Sequence, residues 1–220
     1  VRAALQGVQS VVHLAVLSND PSTKLDEALT VSLNRDAAIR LIEEVRSKGV
    51  RRFVNTSTTT AYGVREEPEV HEDVPHRLIT LYGRAKPETP RLAASPATAD
   101  SAIVSLRPAT VCGRTPHMRL ALQANVLTCQ AVLDGGMTLH GGAQMRSTVA
   151  MGDVVAAFVA VPEADAATVS GRAYNVGGMN HSVRLGKTNT PGFTGSMSRW
   201  SGIGLARTLT TRAARHQRAR

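Results

Sequence analysis

Tyr82 and Lys86, four residues apart in Tyr82-Gly83-Arg84-Ala85-Lys86, are the pair in this chain best suited to acid–base chemistry. On a helix they share one face, a turn apart. An ammonium beside a phenol favours the phenolate and draws its pKa from about 10 toward working pH. Tyr82 could then take a proton from a hydroxyl group. A surface Tyr and Lys on a solvated helix is the plain alternative. The chain has three Tyr and four Lys, so by counting such a match arises by chance in about one such chain in twenty.

A second group lies upstream, the hydroxyl run Asn55-Thr56-Ser57-Thr58-Thr59-Thr60 followed by Ala61-Tyr62-Gly63, with Tyr62 twenty residues before Tyr82. It ends a strand-like segment, which is where open α/β sheets hold their ligands. Alone it also fits a loop whose hydroxyls cap local backbone. Cys112 and Cys129 form no CxxC, disulfide framework or metal-ligand spacing, so no metal site is expected.

The elements that must position these groups alternate between strand and helix. Val11 to Ala15 reads as a buried strand, and Arg52 to Ser57 as a second. Between them Asp26 to Lys48 is the best helix. Leu29, Leu33, Ala37, Leu41 and Val45 recur every four residues, Ala38 and Ile42 widen the stripe, and Gly49 follows as a stop. Beyond the polar loop from Arg65 to Arg77, strands are expected at Ala102 to Arg107, Met137 to His140, Ser147 to Ala150 and Ala173 to Val176. Helices are expected at Met118 to Leu133 and Asp153 to Val161. Such alternation predicts an α/β fold, a parallel sheet covered on both faces.

Charge separates the body from the tail. The net charge is +9, yet residues 181–220 hold eight Lys and Arg and no Asp or Glu. The body is close to neutral, which argues against a polyanion binder and ranks nucleic acid last among partners. The tail lacks an apolar period and is expected to be disordered or weakly helical. No apolar run approaches the roughly 18 residues of a membrane span. Residues 1–9 do not read as a secretory signal, and a reducing cytoplasm fits the two cysteines.

Taken in order, several short stretches resemble the NAD-dependent epimerase/dehydratase family, the nucleotide-sugar branch of the extended short-chain dehydrogenases/reductases. They are Val11-Val12-His13-Leu14-Ala15, Leu33-Asn34, Gly49 to Val54, Ser57-Thr58 through Tyr62-Gly63, Tyr82 to Lys86, Leu106-Arg107-Pro108-Ala109-Thr110-Val111 and Tyr174-Asn175-Val176-Gly177. The resemblance implies a Rossmann-like doubly wound sheet, NAD as cofactor with NADP left open, a nucleotide-sugar as substrate, and room for a homodimer. It implies Tyr82 as general base, Lys86 as the group that lowers its pKa and holds the nicotinamide ribose, and Thr58 as the hydroxyl that meets the reacting oxygen. By the same resemblance His13, Leu14, Ala15, Asn34, Ser57 and Ala109 line the cofactor. Thr110, Asn125 and Arg146 face the nucleotide-sugar, Arg146 because a guanidinium fork pairs with phosphate oxygens. Members that are 4,6-dehydratases carry an Asp-Glu pair after the catalytic Thr. Thr59 and Thr60 stand there, which favours an epimerase or keto-reductase.

The expected organisation is a partial dinucleotide-binding core over residues 1–115, a substrate region over 116–180 with a strand returning to the sheet, and the basic tail over 181–220. The family pattern opens with a glycine-rich turn that this sequence does not contain, as though roughly three strands and two helices of a doubly wound domain were absent. Pro87 and Pro90 should break the helix after Lys86, since an interior proline costs ~3 kcal/mol. Around Arg146, Met145, Ser147 and Ala150 replace the usual aromatic, Pro and His. An enzyme impaired by the absent turn and a non-catalytic remnant or binding protein of the same fold are therefore both open. Without the pyrophosphate bonds, each worth ~1.5–3 kcal/mol, a micromolar NAD site weakens to millimolar. Calorimetric titration of the purified chain with NAD is expected to show this weak binding, and micromolar binding by a monodisperse sample would contradict it.

Overall fold

The computed structural model describes residues 1–18, 20–65, 67, 70–86, 101–116, 119–120, 122–138, 145–178 and 180–182. Its frame is a four-stranded parallel sheet, ordered β1 (Ser10–His13), β2 (Arg52–Thr56), β3 (Ala102–Pro108) and β6 (Ala173–Val176). Val12, Val54 and Val104 align across β1 to β3, and Arg107 aligns with Asn175 across β3 and β6. A smaller sheet joins β4 (Thr110–Cys112), β5 (Met145–Ala150) and β7 (Asn180–Ser182), β4 and β5 parallel, β5 and β7 antiparallel.

Both faces of the main sheet are covered, as a parallel sheet requires. On one face Phe53 and Ile103 pack with Leu5, Ile42, Val45 and Val50, beneath α3 (Ala37–Ser47). On the other, Val54, Val104 and Leu106 pack with Val154, Ala157 and Val161 of α6 (Met151–Glu163) and Val169 of α7 (Ala166–Val169). The period of two along β2 and β3 sends alternate residues into the two cores.

The long helix expected from Asp26 forms in two pieces. Asp26 caps α2 (Glu27–Val31), its carboxylate accepting from the Leu29 N–H at 2.8 Å. A wide π turn over Ser32–Asp36 then leads into α3. The expected stripe is shared unevenly: Ala38, Ile42 and Val45 are buried, while Leu29 and Leu33 are exposed. A short helix, α1 (Asp20–Leu25), precedes it.

The strands from Val11, Arg52, Ala102, Ser147 and Ala173 and the helix from Asp153 all form, within a few residues of the expected limits. α5 (Gln123–Leu133) starts later than expected; Met118 lies outside the described residues. In the stretch expected as a strand from Met137, Met137 and Thr138 are not extended into one, and 139–140 fall outside the described residues. So does the tail from 183 onward.

A tight approach closes the loop over residues 70–79 onto the turn after β2. Gly63 has φ +69°, and a Cβ there would lie 2.6 Å from the Arg77 carbonyl oxygen. Gly49 has φ +68° with open space around it. Gly49→Ala should cost about 1–2 kcal/mol for the left-handed backbone alone. Gly63→Ala should cost more, roughly 3 kcal/mol or above, because loop and turn must also part. Urea unfolding midpoints of the two variants check the difference, and equal losses would show that the approach carries no energy.

Candidate active site

Three parallel strands end side by side: β1 at His13, β2 at Thr56 and β3 at Pro108. The segment leaving β2 stays on this rim because the Ser57 N–H donates to the Leu106 carbonyl at 2.7 Å. Thr58 then caps a 3₁₀ turn over Thr59–Tyr62. Its Oγ1 accepts from the Thr60 N–H at 3.2 Å and donates to Thr60 Oγ1 at 3.0 Å. The Thr59 hydroxyl donates to the Pro108 carbonyl at 3.3 Å, which fastens the turn to the end of β3. Ser57 and Thr58 are both buried.

Tyr82 sits on α4 (Leu81–Ala85), a single turn capped by Thr80, whose Oγ1 accepts from the Gly83 N–H at 3.1 Å. The helix ends as Pro87 requires: Lys86 is extended, at φ −82° and ψ 119°, the conformation a following proline imposes. Tyr82 and Lys86 therefore do not continue one helix. They still meet, with Lys86 Nζ 5.5 Å from the centre of the Tyr82 ring, within cation–π range. α4 lies against the hydroxyl turn at Gly83, where a Cβ would make ordinary contact 3.7 Å from the Thr60 carbonyl oxygen.

Lys86 is 6% exposed, and its Nζ donates to the Thr56 carbonyl at 2.8 Å. Burial lowers its pKa from 10.5 to about 8. His13 stacks on Phe53, with ring centres 6.0 Å apart. Burial pulls the His13 pKa down, a hydrogen bond with Asn55 opposes this, and the Lys86 charge adds to the lowering. The rim thus favours a neutral imidazole beside an ammonium that gives up its proton readily. The Thr56 hydroxyl is buried with no hydrogen-bond partner, and nothing in the structure explains it.

The other expected residues divide. Ala109 is buried at the end of β3, its N–H donating to the Val176 carbonyl at 2.9 Å. Leu14 and Ala15 are exposed just past β1. Asn34 is buried in the π turn and is engaged with the backbone of Leu17, accepting from its N–H at 2.8 Å and donating to its carbonyl at 2.9 Å. That clamp fixes the loop leaving β1. Thr110 is half-buried on β4, opposite Thr148 of β5. Asn125 donates to the Arg119 carbonyl at 2.8 Å, and Arg119 reaches the Ser18 hydroxyl at 3.4 Å, so the entry to α5 leans on the same rim. Arg146 is exposed on β5, opposite His181 of β7. Among the described residues, no group of three or more His, Cys, Asp and Glu could hold a metal ion, and no helix is long and apolar enough to cross a membrane.

Sequence reasoning gave no role to Tyr62, Glu72, Arg107 or Asn175, which form a hydrogen-bonded group behind the turn. Arg107 donates to Tyr62 Oη at 2.6 Å, Tyr62 donates to Asn175 Oδ1 at 2.7 Å, and the Asn175 N–H donates to Glu72 Oε1 at 2.7 Å. The available signal was the charged Arg107 inside the largely apolar strand Ala102–Pro108.

Lys86 has a consequence for stability. Its folded-state pKa lies below the unfolded value, so burial of the charged amine opposes folding below about pH 8, and the penalty is released as pH rises from about 8 to about 10.5. Lys86→Met removes that dependence. The unfolding free energy of the wild type, minus that of the variant, should rise by roughly 3 kcal/mol across this interval. Chemical denaturation of both at several alkaline pH values measures it, and a flat difference would mean the amine is not buried as described.

The model of the NAD dependent epimerase/dehydratase family matches residues 1–177. Among solved structures, the chain is similar to MoeE5 in complex with UDP-glucose and NAD, at 28% identity and TM-score 0.71, covering 84% of this chain and 62% of that one. It is similar to a variant of UDP-glucuronic acid 4-epimerase from Bacillus cereus in complex with UDP-4-deoxy-4-fluoro-glucuronic acid and NAD, at 26% identity and TM-score 0.71, covering 83% and 58%. The dTDP-glucose 4,6-dehydratase DesIV from Streptomyces venezuelae, with NAD bound, shares the fold at 23% identity and TM-score 0.70, covering 84% and 56%. The chain thus spans less than two thirds of the length of each of these three. With a doubly wound parallel sheet, a Tyr–Lys pair at its carboxyl rim and a family match over most of its length, the chain belongs to the NAD-dependent epimerase/dehydratase family.

Proposed function

We propose that this chain carries the nicotinamide-side and substrate-side chemistry of a nucleotide-sugar epimerase or keto-reductase, in which Tyr82 removes a proton from a sugar hydroxyl. The observation that carries this reading is the meeting of Lys86 with the Tyr82 ring beside the hydroxyl turn, at the ends of three parallel strands. The family and the NAD and UDP-sugar complexes of its structural neighbours support the choice of ligands.

The donors on the rim suit the nicotinamide ribose and carboxamide. Lys86, Ser57 and Tyr82 offer an ammonium and hydroxyls. His13, Leu14, Ala15 and Ala109 offer the flanking wall, and Asn34 steadies the loop beside it. When bound, NAD supplies the hydride acceptor for the sugar carbon. Tyr82 takes the hydroxyl proton, and an ammonium at Lys86 stabilises the phenolate. Thr58 holds the reacting oxygen, with its own hydroxyl oriented by Thr60. Thr110 faces the sugar, while Asn125 and Arg146 meet the nucleotide diphosphate. The product of the first half is a keto-sugar, and reduction of that carbonyl from the other face of the ring gives the epimer. Thr59 and Thr60 have no carboxyl group to exchange a proton with the ring, which argues for inversion or reduction over 4,6-dehydration.

Turnover is tested with NAD in the millimolar range and UDP-glucose, UDP-glucuronic acid or UDP-N-acetylglucosamine, the products being separated by chromatography. Tyr82→Phe should lower the rate by about 10²–10⁴-fold and leave UDP-sugar affinity nearly intact. Lys86→Met should lower both rate and cofactor affinity. Full activity of Tyr82→Phe would remove the phenol from the mechanism.

A further inference from the structure

We propose that Arg107 is the positioning residue of this site: through Tyr62 it sets where the hydroxyl turn, and with it Thr58, stands on the rim of the sheet. The proposal rests on Thr58 as the residue that holds the reacting oxygen.

Arg107 is 5% exposed, on β3 immediately before Pro108. A buried guanidinium is a weak source of stability, since an apolar side chain of similar volume packs as well without desolvating a charge. What it adds is direction, because its planar fork presents donors at fixed angles. One nitrogen, Nη1, donates both to Tyr62 Oη at 2.6 Å and to the Glu72 carbonyl at 3.2 Å, and the guanidinium carbon lies 5.3 Å from the centre of the Tyr62 ring. Tyr62, 3% exposed, ends the 3₁₀ turn that Thr58 begins.

The ring of bonds closes behind it. Tyr62 donates to Asn175 Oδ1, and Asn175 is the register partner of Arg107 on β6. The Asn175 N–H holds the Glu72 carboxylate, and its Nδ2 donates to the Val70 carbonyl at 3.2 Å. Turn, loop and two strand ends therefore share one set of donors and acceptors with a single arrangement. The turn is fastened to β3 twice, at its start by the Thr59 hydroxyl on the Pro108 carbonyl and at its end by Arg107 on Tyr62. Only two residues, Thr60 and Ala61, separate those anchors, so the turn cannot shift at one end without moving Thr58.

The test is methyl NMR of the threonine-labelled chain, comparing wild type with Arg107→Met, Arg107→Lys and Tyr62→Phe. The expected result is that the Thr58 and Thr60 methyl resonances move and broaden in Arg107→Met and Tyr62→Phe. Thr23 and Thr30, buried by α1 and α2, should stay in place. Arg107→Lys, which keeps the charge and one donor point, should restore part of the Thr58 shift. If Arg107→Met fails to fold, Tyr62→Phe still decides, because it removes one oxygen and keeps the ring. Unmoved Thr58 in a folded variant, or equal movement of Thr30, overturns the proposal. In the UDP-sugar assay Tyr62→Phe should lower kcat roughly tenfold or more with KM little changed, and a KM effect alone also overturns it. Absence of turnover in the wild type would count against the enzymatic reading and leave the NMR result standing.

Discussion

The ammonium of Lys86, buried on the carbonyl of Thr56, holds together the two pieces of chain that matter. A helix of five residues such as α4 has no stability of its own, because nucleation costs more than one turn of hydrogen bonds returns. It stands where it does because Thr80 caps it, Gly83 lies against the hydroxyl turn and Lys86 reaches past its end to β2. The desolvation that this burial costs is not wasted chemically. An amine with a pKa of about 8 gives up its proton more readily than a solvated lysine would, and it lies 5.5 Å from the centre of the Tyr82 ring.

That arrangement depends on the sheet. Parallel strands all end on the same side, so β1, β2 and β3 deliver His13, Thr56 and Pro108 to one rim without any long-range instruction beyond strand order. The two cores fix that order from both faces: Phe53 and Ile103 under α3, Val54 and Val104 under α6. Polar side chains are buried among these apolar ones toward the ends of β2 and β3, Asn55 beside Val54 and Ser105 between Val104 and Leu106. Asn55 donates to Ser105 Oγ at 3.2 Å.

Much of this was legible in the sequence. Period-two and apolar runs located β1, β2, β3 and β6, and Tyr82, Lys86 and the hydroxyl run were visible from residue type and spacing. Pro87 announced the end of α4. What could not be read was anything that needed the order of strands. Arg107 and Asn175 are far apart in the chain and become neighbours only once β6 pairs with β3. The acceptor for Lys86 is a backbone carbonyl, which no residue type advertises. Asn34 is a cofactor residue by resemblance, and its hydrogen bonds to the Leu17 backbone, set by the shape of the loop after β1, could not be read from residue type. β4 and β7 are three residues each and carry too short a pattern to be seen.

The π turn at Ser32–Asp36 gives the helical stretch from Glu27 to Ser47 a phase problem and its solution. A stripe repeating every four residues slips by about 40° per repeat against a winding of 3.6 residues per turn. By the third repeat such a stripe would point sideways. One wide turn takes up an extra residue and resets the phase, so that Thr30 before it, Asn34 within it and Ala38, Ile42 and Val45 after it all face inward. The stretch is thereby tied at two points to different partners, the rim loop through Asn34 and the core through Ile42. Loss of a single residue between those points would restore ordinary winding, and in doing so would turn one half of the helix away from its partner. Length in this stretch is constrained as tightly as composition.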